Sequence, residues 1–192
     1  MSRLSSFFAL AAILVVMSAC SRTARIDAAI DDAASSEIVV KLLDINRFSV
    51  LDTVAVDSEG KFSYKVDVTK GQPEFVYLFY GDKKVASMIL QAGDKVSVVA
   101  DTLGNYTVEG SEESMKLAQV EHDYAYALAR MNSLALRAEE AVSEQYATEL
   151  RREIRQEYIS YYRSRVKYVM ENSSSLSVVP VFYQTFGSNL PV

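Results

Sequence analysis

Residues 106–120, Tyr106-Thr107-Val108-Glu109-Gly110-Ser111-Glu112-Glu113-Ser114-Met115-Lys116-Leu117-Ala118-Gln119-Val120, hold the point where the hydrophobic period of the chain changes. Before Gly110, apolar residues recur at every second position, the spacing of a half-buried strand. After it they recur every three or four positions, the spacing of one helix face. Ser111 is an N-cap candidate, and Glu112 and Glu113 follow where the helix dipole favours negative charge. Strands before this junction and helices after it point to an α+β fold rather than to alternating βαβ units.

Upstream of the junction, residues 37–44 are β-branched and apolar (Ile38, Val39, Val40, Leu42, Leu43), and residues 49–56 alternate. Asp57-Ser58-Glu59-Gly60 reads as a turn, with Gly60 suited to a positive φ. Phe62, Tyr64 and Val66 alternate with Lys61, Ser63, Lys65 and Asp67, the mark of a half-buried antiparallel strand. Lys70-Gly71-Gln72-Pro73 breaks the chain. Residues 74–80 are apolar on both faces and read as a central strand. After the Gly81-Asp82-Lys83-Lys84 turn, residues 85–91 and 95–100 pair around Ala92-Gly93-Asp94, and residues 106–108 close the set. About seven strands at intervals of about ten residues predict an N-terminal antiparallel β-sandwich over residues 37–110.

Downstream, Leu117, Val120, Tyr124, Leu128, Met131, Ala135, Ala138 and Val142 step along one helix face. A second helix over residues 143–171 carries Leu150, Ile154, Tyr158, Tyr161, Val166 and Val169 on its apolar stripe. The pair reads as a long antiparallel helical hairpin within a C-terminal unit, residues 111–192. Residues 172–175 break it. The apolar segment that follows, with Pro180 able to open a helical turn, predicts a short C-terminal helix over residues 176–187, docked on Tyr158, Tyr161 and Val166. The sequence stops at Leu190-Pro191-Val192 without a polar cap, which suggests missing sequence.

Composition narrows the function classes. The 192 residues are 49% hydrophobic and 23% charged, which excludes disordered, collagen-like and multi-span membrane classes. A net charge of −5 without a basic stripe argues against a nucleic-acid partner. One Cys and one His leave little for metal or nucleophile chemistry, so neither a cofactor nor a metal is expected.

The leader is the most specific segment. Arg3 is the only charge up to Cys20; the uncharged apolar run 7–17 follows, then Ser18, Ala19 and Cys20. This is a positive n-region, a short h-region and a small-residue cleavage site, so residues 1–19 read as a signal peptide cut after Ala19. The run is short for a membrane span, which needs about 20 residues. The placement of Cys20 resembles the bacterial lipobox, with Met17 where Leu is usual. By that resemblance Cys20 is acylated and becomes the mature N-terminus; the alternative is an ordinary secretory signal. Acyl chains on Cys20, at about 0.8 kcal/mol per buried methylene, would hold the protein on a membrane durably. Ser21 after the cysteine favours the outer membrane by resemblance to lipoprotein sorting rules; the expectation is a chain facing the periplasm, with a surface-exposed orientation as the alternative. Residues 20–36 read as the lipid-anchored tether, fraying into a short helix over residues 24–34.

The motifs also resemble a family. Leu51-Asp52-Thr53, then Asp57 with Gly60-Lys61-Phe62, resembles the first hairpin of a domain of unknown function common in lipoproteins of the Bacteroides group. Phe75, Tyr77 and Leu78 are similar to its central strand. Ile89-Leu90-Gln91-Ala92-Gly93-Asp94-Lys95-Val96 is similar to its apolar-Gly-Asp turn, and Val108-Glu109-Gly110-Ser111 to its exit into helices. Asn172 to Leu176 with Tyr183 resembles the end of its helical region, with Ser173 where Pro is usual. The resemblance covers residues 37–187. It implies a thioredoxin-like (AhpC/TSA-type) domain following in the same polypeptide; that domain and its Cys-x-x-Cys are absent here, so no redox residue is carried over. Asp52-Thr53-Val54 and Asp101-Thr102-Leu103 resemble the short O-glycosylation signal of that bacterial group, with Thr53 and Thr102 as acceptors.

Other candidate chemistry reads as structural. His122 on the first helix reads as a surface or satisfied histidine. Glu112-Glu113 and Glu139-Glu140 are adjacent on helices and do not face each other. The twelve Tyr and eight Phe read mainly as core. The expectation is a non-catalytic, membrane-anchored periplasmic lipoprotein, a binding or assembly module with a protein partner in the periplasm. The alternatives are the front part of a truncated or split thiol-disulfide oxidoreductase and an envelope carbohydrate-binding lipoprotein.

Overall fold

The computed structural model describes residues 23–44 and 47–184. The expectations for Ala19 and Cys20 lie outside the described residues, as does the end of the C-terminal segment. The order is β1 (Thr23–Asp31), β2 (Glu37–Asp44), β3 (Arg47–Ala55), β4 (Lys61–Asp67), β5 (Glu74–Tyr80), β6 (Lys83–Leu90), β7 (Lys95–Asp101) and β8 (Tyr106–Glu109). Helices α1 (Glu112–Glu139) and α2 (Glu144–Glu171) follow, then 3₁₀ turns at Leu176–Val178 and Pro180–Tyr183. The fold is α+β, with the strands first, as the period change at Gly110 predicts.

The strands form two four-stranded sheets, β4-β1-β7-β8 and β3-β2-β5-β6. Ile26, Ile30, Val66 and Val98 of the first sheet and Ile38, Val40, Leu78 and Met88 of the second enter one buried cluster between them. β5 lies between β2 and β6, the central position that its two apolar faces demand.

β1 corrects the expected tether. Residues 23–31 are neither tether nor helix but an interior strand of the first sheet, which brings the described strands to eight. Ala24, Ile26, Ala28 and Ile30 are buried while Arg25, Asp27 and Asp31 face outward or the edge. The alternation is genuine, but half its inward positions are alanine, a weak strand former, so the pattern reads as bland. The wholly antiparallel expectation is corrected too, because β1 pairs with β7 in parallel, Arg25 beside Lys95 through Asp31 beside Asp101.

The helices start where their caps predict. The Ser111 side chain accepts from the Ser114 backbone N–H, and the Ser143 side chain from that of Tyr146. The α1 stripe is rotated from the expected one: Ala127 and Leu134 are buried, whereas Val142 beyond its end is fully exposed. Tertiary contact sets that rotation, since Ser114 and Glu121 in the first half of α1 bond to β6, whereas Ala127, Met131, Leu134 and Ala138 in the second half cluster with α2. On α2, Leu150, Ile154 and Tyr161 are buried, and Val166, expected on the stripe, is exposed.

The expected C-terminal helix is two short 3₁₀ turns, with Pro180 opening the second. Its aromatic side chains stay outside the contact, Phe182 70% and Tyr183 80% exposed, while Leu176, Val178 and Val181 are half-buried. Polar groups add to this partial burial. Glu113 accepts from the Ser175 hydroxyl (2.7 Å) and the Ser177 N–H (3.3 Å), and the Tyr168 and Ser177 hydroxyls lie 2.6 Å apart. Of the expected docking residues, Tyr161 takes part, donating to Gln184.

Candidate functional site

Where α1 leaves the sandwich, its middle turns, the β7–β8 turn and the end of the C-terminal segment enclose an open cleft of about 740 Å³. Each wall has a local cause. Asp101 shapes the β7–β8 turn: its carboxylate accepts from the backbone N–H groups of Leu103 and Asn105, both at 2.9 Å, and from the Asn105 amide at 2.6 Å. Those donors, the Asn105 side chain foremost, hold the Asp101 carboxyl below its ordinary range. Gly104 sits at φ +92°, where a Cβ would stand 3.0 Å from the Lys84 carbonyl oxygen. The turn therefore lies close against β6.

The floor is organised by Glu121, whose side chain is 19% exposed. It pairs with the Lys84 ammonium at 2.7 Å and accepts from the hydroxyls of Ser87 and Tyr106, each at 3.0 Å. A carboxylate this far from water needs such partners. Burial first and the Glu121 charge second push both Tyr106 and Tyr77 up, Tyr77 to about 12. Both phenols are therefore neutral at neutral pH, so Tyr106 donates to Glu121 rather than competing with it.

The third wall is the C-terminal strap. The Gln184 amide donates to the Val120 carbonyl at 3.3 Å, and its carbonyl accepts from the Tyr161 hydroxyl at 2.6 Å. Beside it Arg165, only 11% exposed, bonds to Asp123 at 2.8 Å and lies over the Tyr161 and Tyr168 rings, 5.0 and 5.5 Å from their centres. Its Nη1 is buried without a hydrogen-bond partner among the described residues.

The residues singled out by their sequence motifs scatter over the molecule. Thr102 is half-buried on the turn beside the cleft, and Thr53 is exposed on β3, so the two do not converge. His122 lines the cleft with a side chain 74% exposed, 4.0 Å from Asp123. Glu112 pairs with Lys116 at 2.7 Å, and Glu113 caps the strap. Among the described residues no cluster of three His, Cys, Asp or Glu could hold a metal ion, and no helix is long and apolar enough to cross a membrane. Glu121 escaped sequence reasoning; its signal is a carboxylate one turn after Leu117, inside the apolar face of α1. Tyr77 and Phe79 are buried as expected, but on the outer face of their sheet, where Phe48 packs edge-on at 5.0 and 5.4 Å.

The fold defines a class, a two-sheet β domain that carries a helical hairpin. Residues 24–117, from β1 into the first turns of α1, match the family described as Domain of unknown function (DUF4369). The match starts inside β1, upstream of the expected residue 37, and ends before most of the hairpin. No curated protein matches the chain.

Proposed function

We propose that the chain is a non-catalytic, membrane-anchored periplasmic lipoprotein that works as a binding or assembly module. The leader, with Cys20 directly after Ser18-Ala19, supports the anchor. The cleft at the root of the hairpin supports binding and is the observation that carries the reading. Its central carboxylate, Glu121, is engaged by three partners that fix the walls to one another. Such a carboxylate positions structure, whereas a general base needs a lone pair facing a substrate proton.

Growth with a palmitate analogue tests the anchor: the wild type should be labelled and remain with membranes, and Cys20→Ser should be neither. A photo-crosslinking residue in place of Asn105 tests the cleft in cells. It should join to a discrete partner that is absent when the same residue replaces Ser58 at the β3–β4 turn. Equal adducts at both positions would remove the cleft from the reading. One observation favours carbohydrate as a second reading of the ligand. Tyr124, Tyr183, Asn105 and Gln184 line the cleft, giving ring faces and amides of the kind that sugars engage. A glycan array without signal would remove it.

A further inference from the structure

We infer that the end of the sandwich where β1 begins is the face that this protein lays against a lipid bilayer, with the cleft and the hairpin tip directed away. The inference rests on the acylation of Cys20 proposed above. Thr23 is the first residue of β1, and three Cα steps separate it from Cys20. Three steps span at most about 11 Å, so the connection between an acylated Cys20 and the sheet is short.

β1 cannot swing away from that point. Thr23 pairs with Asp67 of β4, its carbonyl accepts from the Gly93 N–H at 2.9 Å, and the Arg25 N–H donates to Asp94 at 2.8 Å. With neighbours on both sides from its first residues, the strand transmits the position of the lipid to the whole domain. A flexible tether of residues 20–36 would have left orientation free; an interior strand does not.

The registers decide which surface this is. The β4–β5 loop, the β6–β7 turn and the start of α1 lie at the Thr23 end. Glu113 in the first turn of α1 bonds to Ser175 and Ser177, so α2 also finishes there. The last turns of α2 expose Tyr162 (61%), Val166 (46%) and Met170 (76%), with Arg163 alongside and Lys167 paired to Glu171 at 3.7 Å. Apolar side chains flanked by long cationic ones suit the boundary between headgroups and acyl chains. Asp31, Asp101 and Lys84 of the cleft belong to the opposite strand ends. Along β1 that is about 26 Å from Thr23. Lys70 and Lys95 share the Thr23 end with Asp67, Glu74, Asp94 and Glu109, which leaves no cationic excess there, so contact should not require anionic lipid.

The test uses the full chain, expressed with its leader and reconstituted in phosphatidylcholine vesicles that carry a headgroup nitroxide quencher. Single cysteines replace Lys70 at the Thr23 end, Ser58 at the far end and Val142 at the hairpin tip, each labelled with a fluorophore. Quenching at position 70 should exceed that at 58 and 142 several-fold, with or without anionic lipid. Equal quenching at all three sites, in protein that has incorporated the palmitate analogue, would overturn the orientation. Failure to incorporate the analogue would instead overturn the acylation on which it rests. Inserting about twenty Gly and Ser residues between Arg22 and Thr23 should level the three sites. Persistence of the bias after insertion would overturn the short connection as its cause and leave the exposed side chains at the end of α2 as what holds this face on the bilayer.

Discussion

In the sandwich, side chains from two sheets bury into one cluster, and Ile26, Ile38, Leu78 and Met88 are all wholly inaccessible. In the hairpin, Met131, Leu150 and Ile154 form a smaller cluster between two helices, while Leu136 near its tip and Tyr162, Val166 and Met170 near its root remain exposed. The sandwich is thus held by a core closed on both sides. The outer hairpin is held along one seam, and α2 reaches the rest of the protein mainly through α1 and the polar strap. A seam of this kind opens with less loss of buried area, so local opening should begin in the hairpin.

The largest effect is expected at the hinge between the two regions. Gly110 has φ +91°, and a Cβ there would stand 2.1 Å from the Lys95 carbonyl oxygen. Gly110→Ala should cost roughly 4 kcal/mol or more, since backbone must move on both sides. Gly71→Ala, at φ +80° with nothing within 4 Å, isolates the conformational part. It should cost about 1–2 kcal/mol. Urea unfolding of both variants measures the difference, and equal losses would mean that the contact with β7 is not what fixes the junction.

Core truncation compares the regions directly. Leu78→Ala in the sandwich and Leu150→Ala in the hairpin each remove a side chain no more than 1% exposed. Costs should fall within about 2–5 kcal/mol, with Leu78→Ala at the upper end because a closed core collapses less around a cavity. Native-state hydrogen exchange should find α2 opening at lower free energy than β5. Matching protection in the two would break the contrast.

Alkali acts on both regions. Burial, the first cause in each case, raises Tyr77 of the sandwich and Tyr161 of the hairpin from 10.0 to about 12. The folded state therefore favours the neutral phenol. The resulting stability is complete below the unfolded value and is lost as pH rises from 10 towards 12. Thermal melts across that window should show a steep decline. Tyr106→Phe should soften it, while costing about 1 kcal/mol at neutral pH through the lost bond to Glu121.

The smallest effect concerns the strap. Ending the chain before Leu176 should lower the melting temperature by a few degrees and speed exchange in α2 more than in β5. Gln184→Ala alone should cost about 0.5–1.5 kcal/mol. An unchanged melting temperature after truncation would show that α2 needs only its seam with α1.

Periodicity by itself determined the order of strands and helices, the Ser111 and Ser143 caps, the central place of β5 and the turn at Gly60. These follow from local spacing, because a strand or an amphipathic helix shows its buried face in the chain itself. The candidate site was far less legible. Glu121 can be read as a misplaced charge on α1, but Lys84, Ser87 and Tyr106 become its partners only when β6 and β8 pack beneath that helix. Tertiary structure also decided that residues 23–31 are an interior strand. Two neighbours make Ala24 and Ala28 buried positions, although alanine has little strand preference of its own. It decided which side of α1 is buried, since the sheet covers only the first half of that helix. Hydrophobic spacing is written along one segment, whereas a parallel pairing, a buried carboxylate's partners and the wall of a cleft depend on residues that only the fold brings together.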